Sequence, residues 1–179
     1  MLSALGSIAV GFLLGIAVED IFAILPGLIV LVPPLMSIRG AIGGAFSARL
    51  STALHLGTVK PQVRNNTSNF KKSFLAAILL TAILPIWIGG LAYLVAFFFA
   101  PEVLTWNALL GFILIAELSG LLSGFLQALV TIFLSIVTYR RGLDPDVTVS
   151  PILYTTGDLI GVISLVFVTA LLMNAGLLP

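Results

Sequence analysis

The sequence contains no cysteine and a single histidine, His55, among 179 residues. Disulfides, thiolate chemistry and cysteine-ligated metals are therefore excluded within the chain, as is a metal site built from several histidines. Charged side chains are also scarce, at 8% of the residues, against about 25% in a typical soluble domain. So few charges cannot coat a water-facing surface, which indicates an integral membrane protein.

Apolar residues make up 60% of the chain, and the mean hydropathy is +1.23. A spanning helix needs roughly 20 apolar residues, so the chain has room for about five or six spans and for no separate soluble domain. The net charge of +1 gives no electrostatic signal for nucleic-acid binding. Membrane lipid is the surrounding partner that this composition predicts.

Five apolar blocks predict an all-α membrane protein with five transmembrane helices in one domain, residues 1–179. The blocks are too long for the alternating strands of a membrane barrel, which are about ten residues each. The first block lacks a basic segment before it, which favours a span over a cleaved signal peptide. The predicted helices cover about residues 2–18, 21–56, 73–99, 104–139 and 150–173.

The basic residues of the predicted loops fall on alternate connections. They lie between blocks two and three and between blocks four and five, whereas the other two connections carry only acidic residues. Positive residues collect on the cytoplasmic side of a membrane. We therefore expect the N-terminus inside and the C-terminus outside. The basic loop residues are Lys60, Arg64, Lys71, Lys72, Arg140 and Arg141.

Asp158 is the first candidate for ion binding, because ionisable groups inside a membrane are costly and usually functional. It lies about 12 Å beyond Ser150 along a helix, too deep for a short side chain to reach water. A carboxylate is a hard oxygen ligand that suits Mg²⁺, and the Thr155 hydroxyl or the Tyr154 carbonyl could add an oxygen or hold a bound water. The alternative is a helix-packing aspartate hydrogen-bonded to a neighbouring hydroxyl.

Glu117 is a second candidate and begins a polar stripe on the fourth predicted helix. The stripe contains a small-xxx-small pattern that permits close helix contact. It is therefore either a packing seam or part of an ion path. Its members are Glu117, Gly120, Gly124, Gln127 and Thr131.

The stretch "LVPPLMSIRGAIGGAFSARLST" combines helix-weakening residues with two arginines inside the second block. Pro33 and Pro34 remove two backbone donors, and interrupted hydrophobic segments point to a transport site. The alternative is a kinked helix that packs closely through its glycines. One face of the second predicted helix carries almost no large side chains. Its residues are Pro33, Ser37, Gly40, Gly44, Ser47 and Ser51.

Three further polar residues need a place in this scheme. Arg39 carries a fixed positive charge that would repel a cation, so we expect it to pair with Glu117 and leave Asp158 free for the ion. Arg49 lies near the cytoplasmic end of the span, where it can reach lipid phosphates. We expect His55 at the membrane interface.

Two segments carry a resemblance to a known family. The pattern "EDIFAILPGLIVLVPPLMSIRGAIGGAFSARLSTALHLGTV" resembles spans one and two of the MgtE magnesium transporters, and "SARLSTALHLG" is similar to their eukaryotic solute-carrier relatives, which fuse two such units. The segment "GLDPDVTVSPILYTTGDLIGVI" resembles the last span of the family. Its matching positions are Pro151, Thr155, Asp158 and Gly161.

The resemblance implies a divalent cation channel or transporter, not an enzyme, in the cell membrane. It implies a five-helix unit that dimerises, with the ion path along the dimer axis. The aspartate that matches Asp158 would anchor a largely hydrated Mg²⁺ in that path. An intramembrane enzyme would need a nucleophile–base pair or several clustered carboxylates, whereas the buried acids of this chain lie singly on different helices.

The chain departs from the family pattern at two positions. Ala41 stands where family members often have asparagine after glycine, and Gly44 stands where MgtE-type members have glutamine. Either the chain works with fewer polar groups, or it forms a heterodimer with a related half-transporter, as a half-site or non-conducting subunit. The candidate pore-lining residues are Ser37, Gly40, Ala41, Gly44, Ser47 and Glu117.

Overall fold

The structure is a computed structural model that describes residues 2–17, 27–99 and 106–178, and these residues form helices and no strand. The helices are α1 (Leu2–Ala17), α2 (Val32–His55), α3 (Ser68–Phe99), α4 (Trp106–Arg140) and α5 (Pro145–Asn174). A short 3-10 turn, Leu28–Leu31, leads into α2. The prediction of an all-α protein is confirmed, and the described residues contain five α-helices.

Among the described residues, four helical segments are long and apolar enough to cross a membrane. These spans are Leu28–His55, Ser68–Phe99, Ala108–Arg140 and Pro145–Asn174. The described part of α1 has 16 residues, short of the roughly 20 that a span usually needs. The chain is thus a multi-pass membrane protein.

Two helices begin earlier than predicted. α3 begins at Ser68 and takes Lys71 and Lys72, which we expected in a loop, into its first turns. α5 begins at Pro145, because the Asp144 side chain accepts a hydrogen bond from the Asp146 backbone N–H and caps the helix. The predicted positions 18, 21–26 and 104–105 lie outside the described residues.

The expected break at the two prolines is wrong. Pro33 and Pro34 occupy the first positions of α2 and do not interrupt it. The backbone N–H groups of the first turn have no partner within a helix, so proline is compatible with these positions. The apolar 3-10 turn before the prolines extends the hydrophobic run of the sequence. The start of α2 therefore resembles a break inside a longer helix.

α4 is the central helix, packed against α2, α3 and α5, whereas α1 packs against α5. Glycines of α4 allow the close approach of α3, because a Cβ at Gly120 would lie 2.5 Å from Pro85 Cγ and one at Gly124 would collide with Thr81. The small-xxx-small pattern on α4 is therefore a packing seam.

Two apolar clusters fill the interior at different levels. The first surrounds Phe112 and Leu31, and the second surrounds Leu50 and Ile132. From the level of the first cluster to that of the second, α4 presents polar residues at intervals of three or four toward its neighbours. The buried members are Ser119, Ser123, Gln127, Thr131, Ser135 and Thr138.

The end of α2 is fixed to the start of α5. His55 Nε2 lies 3.6 Å from Asp144 Oδ1, and the His55 ring packs edge-on against Tyr139. Arg140 Nε donates a hydrogen bond of 2.8 Å to the carbonyl of Pro61. These contacts hold the α2–α3 loop and the α4–α5 turn at one end of the bundle.

Adjacent glycines of α3 provide a matched test of the α3–α4 packing. A Cβ at Gly89 would lie 2.7 Å from the backbone of Ile113, whereas a Cβ at Gly90 would meet no atom within 4 Å. We expect Gly89→Ala to destabilise the protein by about 1–3 kcal/mol and Gly90→Ala to leave stability unchanged or slightly higher. Thermal unfolding in detergent measures both. Equal effects of the two substitutions would contradict this packing.

Candidate ion site

Asp158 lies near the middle of α5 and is half-buried. Within the described residues, its carboxylate accepts no hydrogen bond, so both oxygens are available to a ligand. One turn earlier, the Thr155 hydroxyl donates a hydrogen bond of 3.2 Å to the Pro151 carbonyl and keeps its oxygen lone pairs available. The side chain of Tyr154 is 54% exposed beside them.

α2 and α5 run antiparallel in contact, which brings the small residues of α2 to this site. The Tyr154 ring lies over α2, with its Cε1 3.7 Å from a Cβ built at Gly40 and its hydroxyl 3.5 Å from one built at Gly44. Near the other end of the contact, a small cavity is lined by both Met36 and Gly161. This register places Ser37 at the level of Asp158.

The adjoining faces of α2 and α5 thus carry most of the predicted site residues. Ser37 and Ala41 are exposed, whereas Gly40 and Gly44 are half-covered by Tyr154. The residues that share this surface, which we call the α2–α5 face, are Ser37, Gly40, Ala41, Gly44, Tyr154, Thr155 and Asp158.

Two predicted residues lie elsewhere. Ser47 is fully buried, and within the described part of the chain its hydroxyl oxygen has no hydrogen-bond partner. Glu117 shares a helical face with Gly120 and Gly124, which pack against α3, and its buried Oε2 has no hydrogen-bond partner among the described residues. Neither side chain contributes to the α2–α5 face.

The expected pair between Arg39 and Glu117 is wrong. Arg39 is 7% exposed, and its Nε donates a hydrogen bond of 3.1 Å to Ser123 Oγ. Its Nη1 donates another of 3.1 Å to the Gly157 carbonyl. Since Ser123 Oγ donates in turn to the Ser119 carbonyl, its lone pairs are free to accept from the guanidinium. Arg39 therefore joins α2 to α4 and α5.

Glycines create the space for the buried polar side chains. A Cβ at Gly161 would overlap the Arg39 guanidinium, and a Cβ at Gly157 would lie 2.6 Å from Gln127 Oε1. On α2, a Cβ at Gly43 would lie 2.8 Å from Gln127 Nε2. Glycine at these three positions lets α2, α4 and α5 approach while two long polar side chains stay enclosed between them.

A small cavity adjoins this polar layer. Its volume is about 10 Å³, and its lining includes Arg39, Gly43, Thr81 and Gln127. That volume is near the lower limit for one water molecule. Gln127 Nε2 donates a hydrogen bond of 3.4 Å to the Leu153 carbonyl, but Oε1 accepts no hydrogen bond from any residue that the structure describes. A single water would satisfy Oε1 there.

Sequence reasoning missed Ser123, Gly157 and Gly43. The signal for Ser123 was present, because Ser119, Ser123 and Gln127 recur at intervals of four and share one side of a helix. Gly157 and Gly161 form a small-xxx-small pair on α5. No pattern in the sequence predicts that the Arg39 side chain donates a hydrogen bond to a backbone carbonyl.

The donor set suits a hydrated cation. The described residues contain no group of three or more histidine or acidic side chains that could enclose a metal. Asp158 offers one carboxylate, with the Thr155 hydroxyl a turn away and Ser37 at the same level. One carboxylate with hydroxyls can hold the water shell of a divalent ion but cannot replace it.

The fit of Arg39 against Gly161 can be tested with a double-mutant cycle. Gly161→Ala should displace the guanidinium and destabilise the protein, and the same change should cost less when Arg39→Met has already removed the obstacle. We expect a coupling on the order of 1 kcal/mol, measured by unfolding in detergent. Additive effects would contradict the contact. Gly90→Ala with Arg39→Met is the uncoupled control.

One comparison with known proteins gives a match. A family model for MgtE, described as a divalent cation transporter, matches residues 32–168. No curated protein matches the chain. The matched segment is more than half of the chain and contains Arg39, Ser123 and Asp158, so the resemblance noted in the sequence is confirmed. The chain belongs to the MgtE family of divalent cation transporters.

Proposed function

We propose that this protein carries Mg²⁺ across the cell membrane, with the ion held largely hydrated beside Asp158. Membership of a divalent cation transporter family gives the general activity. The assignment of the ion to Asp158 rests on its carboxylate. This group lies half-buried at the middle of a spanning helix and accepts no hydrogen bond from the described residues. A carboxylate kept unpaired at membrane depth is costly unless it serves a ligand.

Mg²⁺ is the ion that this donor set favours. It takes oxygen ligands in an octahedral arrangement, sheds water reluctantly and commonly binds through one or two carboxylates. Asp158 would contact the ion or its water shell, and the hydroxyls of Thr155 and Ser37 would accept or donate hydrogen bonds to bound water. The hydroxyl group of Tyr154 lies on the same face and adds a further polar atom.

The proposed working unit is a dimer whose α2–α5 faces meet around the ion path. A five-helix unit supplies one carboxylate, and a second copy would supply another across the axis. The small side chain of Ala41 is exposed on this surface and leaves room for a hydrated ion between two chains, while Gly40 and Gly44 accommodate the Tyr154 ring. The charged loops support an orientation with the N-terminus inside the cell.

A half-site role is the second candidate, and Ala41 and Gly44 favour it. Both positions face the proposed path, and neither carries a polar side chain. A related but non-identical chain would then supply the missing hydrogen-bonding groups, and the pore would form only in the heterodimer. Flux by the purified chain alone separates the two roles.

The central test is Mg²⁺ influx into liposomes that contain only this chain, read by an internal Mg²⁺ dye. We expect Asp158→Asn to remove most of the flux, since the amide keeps the shape but loses the charge. Asp146→Asn is the matched control, because Asp146 is an exposed acid in the first turn of the same helix, and its flux should equal that of the wild type.

Flux that survives in the Asp158→Asn variant would contradict the proposed site. A folded wild-type chain that conducts no divalent cation by itself would instead favour the half-site role. Co-reconstitution with a related chain would then be required for influx.

The absence of cysteine makes the dimer directly testable, because any disulfide can be assigned to the introduced residue. Ala41→Cys places a thiol on the α2–α5 face, and we expect oxidation in the membrane to yield a cross-linked dimer. Leu79→Cys, at an exposed position on α3, is the control and should remain monomeric on a non-reducing gel. Cross-linking through Leu79→Cys alone would place the interface on α3.

A further inference from the structure

We propose that Arg39 is a fixed counter-charge for the ion site. Its guanidinium would balance the Asp158 carboxylate when no ion is bound and would weaken the hold of the site on a divalent cation, so that a bound ion can leave. This inference rests on the proposed role of Asp158. It assigns Arg39 a positioning and charge-balancing role and not direct contact with the ion.

The charge is fixed because two other helices hold it. Nε and Nη1 donate to Ser123 on α4 and to the Gly157 carbonyl on α5, and the side chain is 7% exposed. Gly161 leaves the space in which the guanidinium lies. Arg39 is also the only charged residue among the buried ones in the described part of the chain. It cannot swing to water as an arginine at a membrane surface does.

The guanidinium lies at the level of Asp158 on the inner side of α5. It contacts Gly157, the residue before Asp158, and Gly161, which lies less than one turn after it. The two charges attract each other, but no direct ion pair forms between them, since His55–Asp144 is the only pair within the described residues. Arg39 therefore acts on Asp158 through space and leaves the carboxylate oxygens open.

Charge balance explains why a transport site would keep such a residue. In the proposed dimer, two unbalanced carboxylates would face one divalent ion across a region of low dielectric and bind it tightly. Conduction requires binding that is favourable enough for entry and weak enough for exit. One arginine behind each aspartate lowers the net charge of the site without blocking the path.

The test measures Mg²⁺ affinity by calorimetry in detergent and Mg²⁺ flux in liposomes. We expect Arg39→Gln to bind Mg²⁺ about tenfold more tightly and to conduct more slowly at saturating Mg²⁺. Arg39→Lys keeps the charge and should stay within about twofold of the wild-type affinity. Arg49→Gln removes an exposed charge from the same helix and is the control, with unchanged affinity.

The readout separates this role from simple packing, which would change stability but not ion affinity. A folded Arg39→Gln variant with equal or weaker Mg²⁺ affinity overturns the counter-charge role, while loss of flux in Asp158→Asn still supports the proposed function. If Asp158→Asn binds Mg²⁺ as tightly as the wild type does, Asp158 is not the ion site, and the counter-charge role is overturned as well. If Arg39→Gln does not fold, Arg39→Met is the second neutral variant. If neither neutral variant folds while Arg39→Lys does, Arg39 serves only to stabilise the fold, and the proposal is overturned.

Discussion

The burial of one guanidinium between three helices constrains the rest of this structure. An arginine in the membrane interior is costly unless its donors find hydrogen-bond partners, because bulk water is absent there. Two of the five N–H donors of Arg39 reach a hydroxyl of α4 and a backbone carbonyl of α5. Their positions fix the rotation of α4 and the register of α5 relative to α2. A small change in the rotation of α4 or in the register of α5 would leave the buried charge of Arg39 without these partners.

Several other features follow from that requirement. The guanidinium and the Gln127 amide need room between closely packed helices, which glycine supplies at positions 43, 157 and 161. The two apolar clusters then pack on either side of the polar layer and stabilise it by excluding lipid. The same register turns Asp158 outward onto the α2–α5 face, where its carboxylate accepts no hydrogen bond from the described residues. The placement of the candidate ion site is thus a consequence of how the arginine is held.

Composition and periodicity were sufficient for the fold class and for most of the helices, since long apolar runs in a chain with few charges have few other solutions. They were also sufficient to place Tyr154, Thr155 and Asp158 on one surface, because that result depends only on the period of a helix. The helix start at Pro33 and Pro34 was misjudged, as an apolar 3-10 turn continues the hydrophobic pattern without a visible boundary.

The partner of Arg39 could not be predicted from the sequence. A search for opposite charges leads to Glu117, whereas the actual acceptors are a serine and a backbone carbonyl. The acceptor that an arginine side chain reaches depends on the rotation and register of three helices. The pattern of residues along one helix does not contain that information. Ser47 shows the same limit, because it shares a small-residue face with Gly44 but is fully enclosed by the chain.

The position of α1 has a mechanical consequence. Among the described elements, this helix packs against α5 and against no other helix. Within the described residues, α5 is therefore the helix through which a displacement of α1 would reach the bundle. That helix carries Asp158, so a change in the tilt of α1 would act on the candidate ion site through the α1–α5 packing.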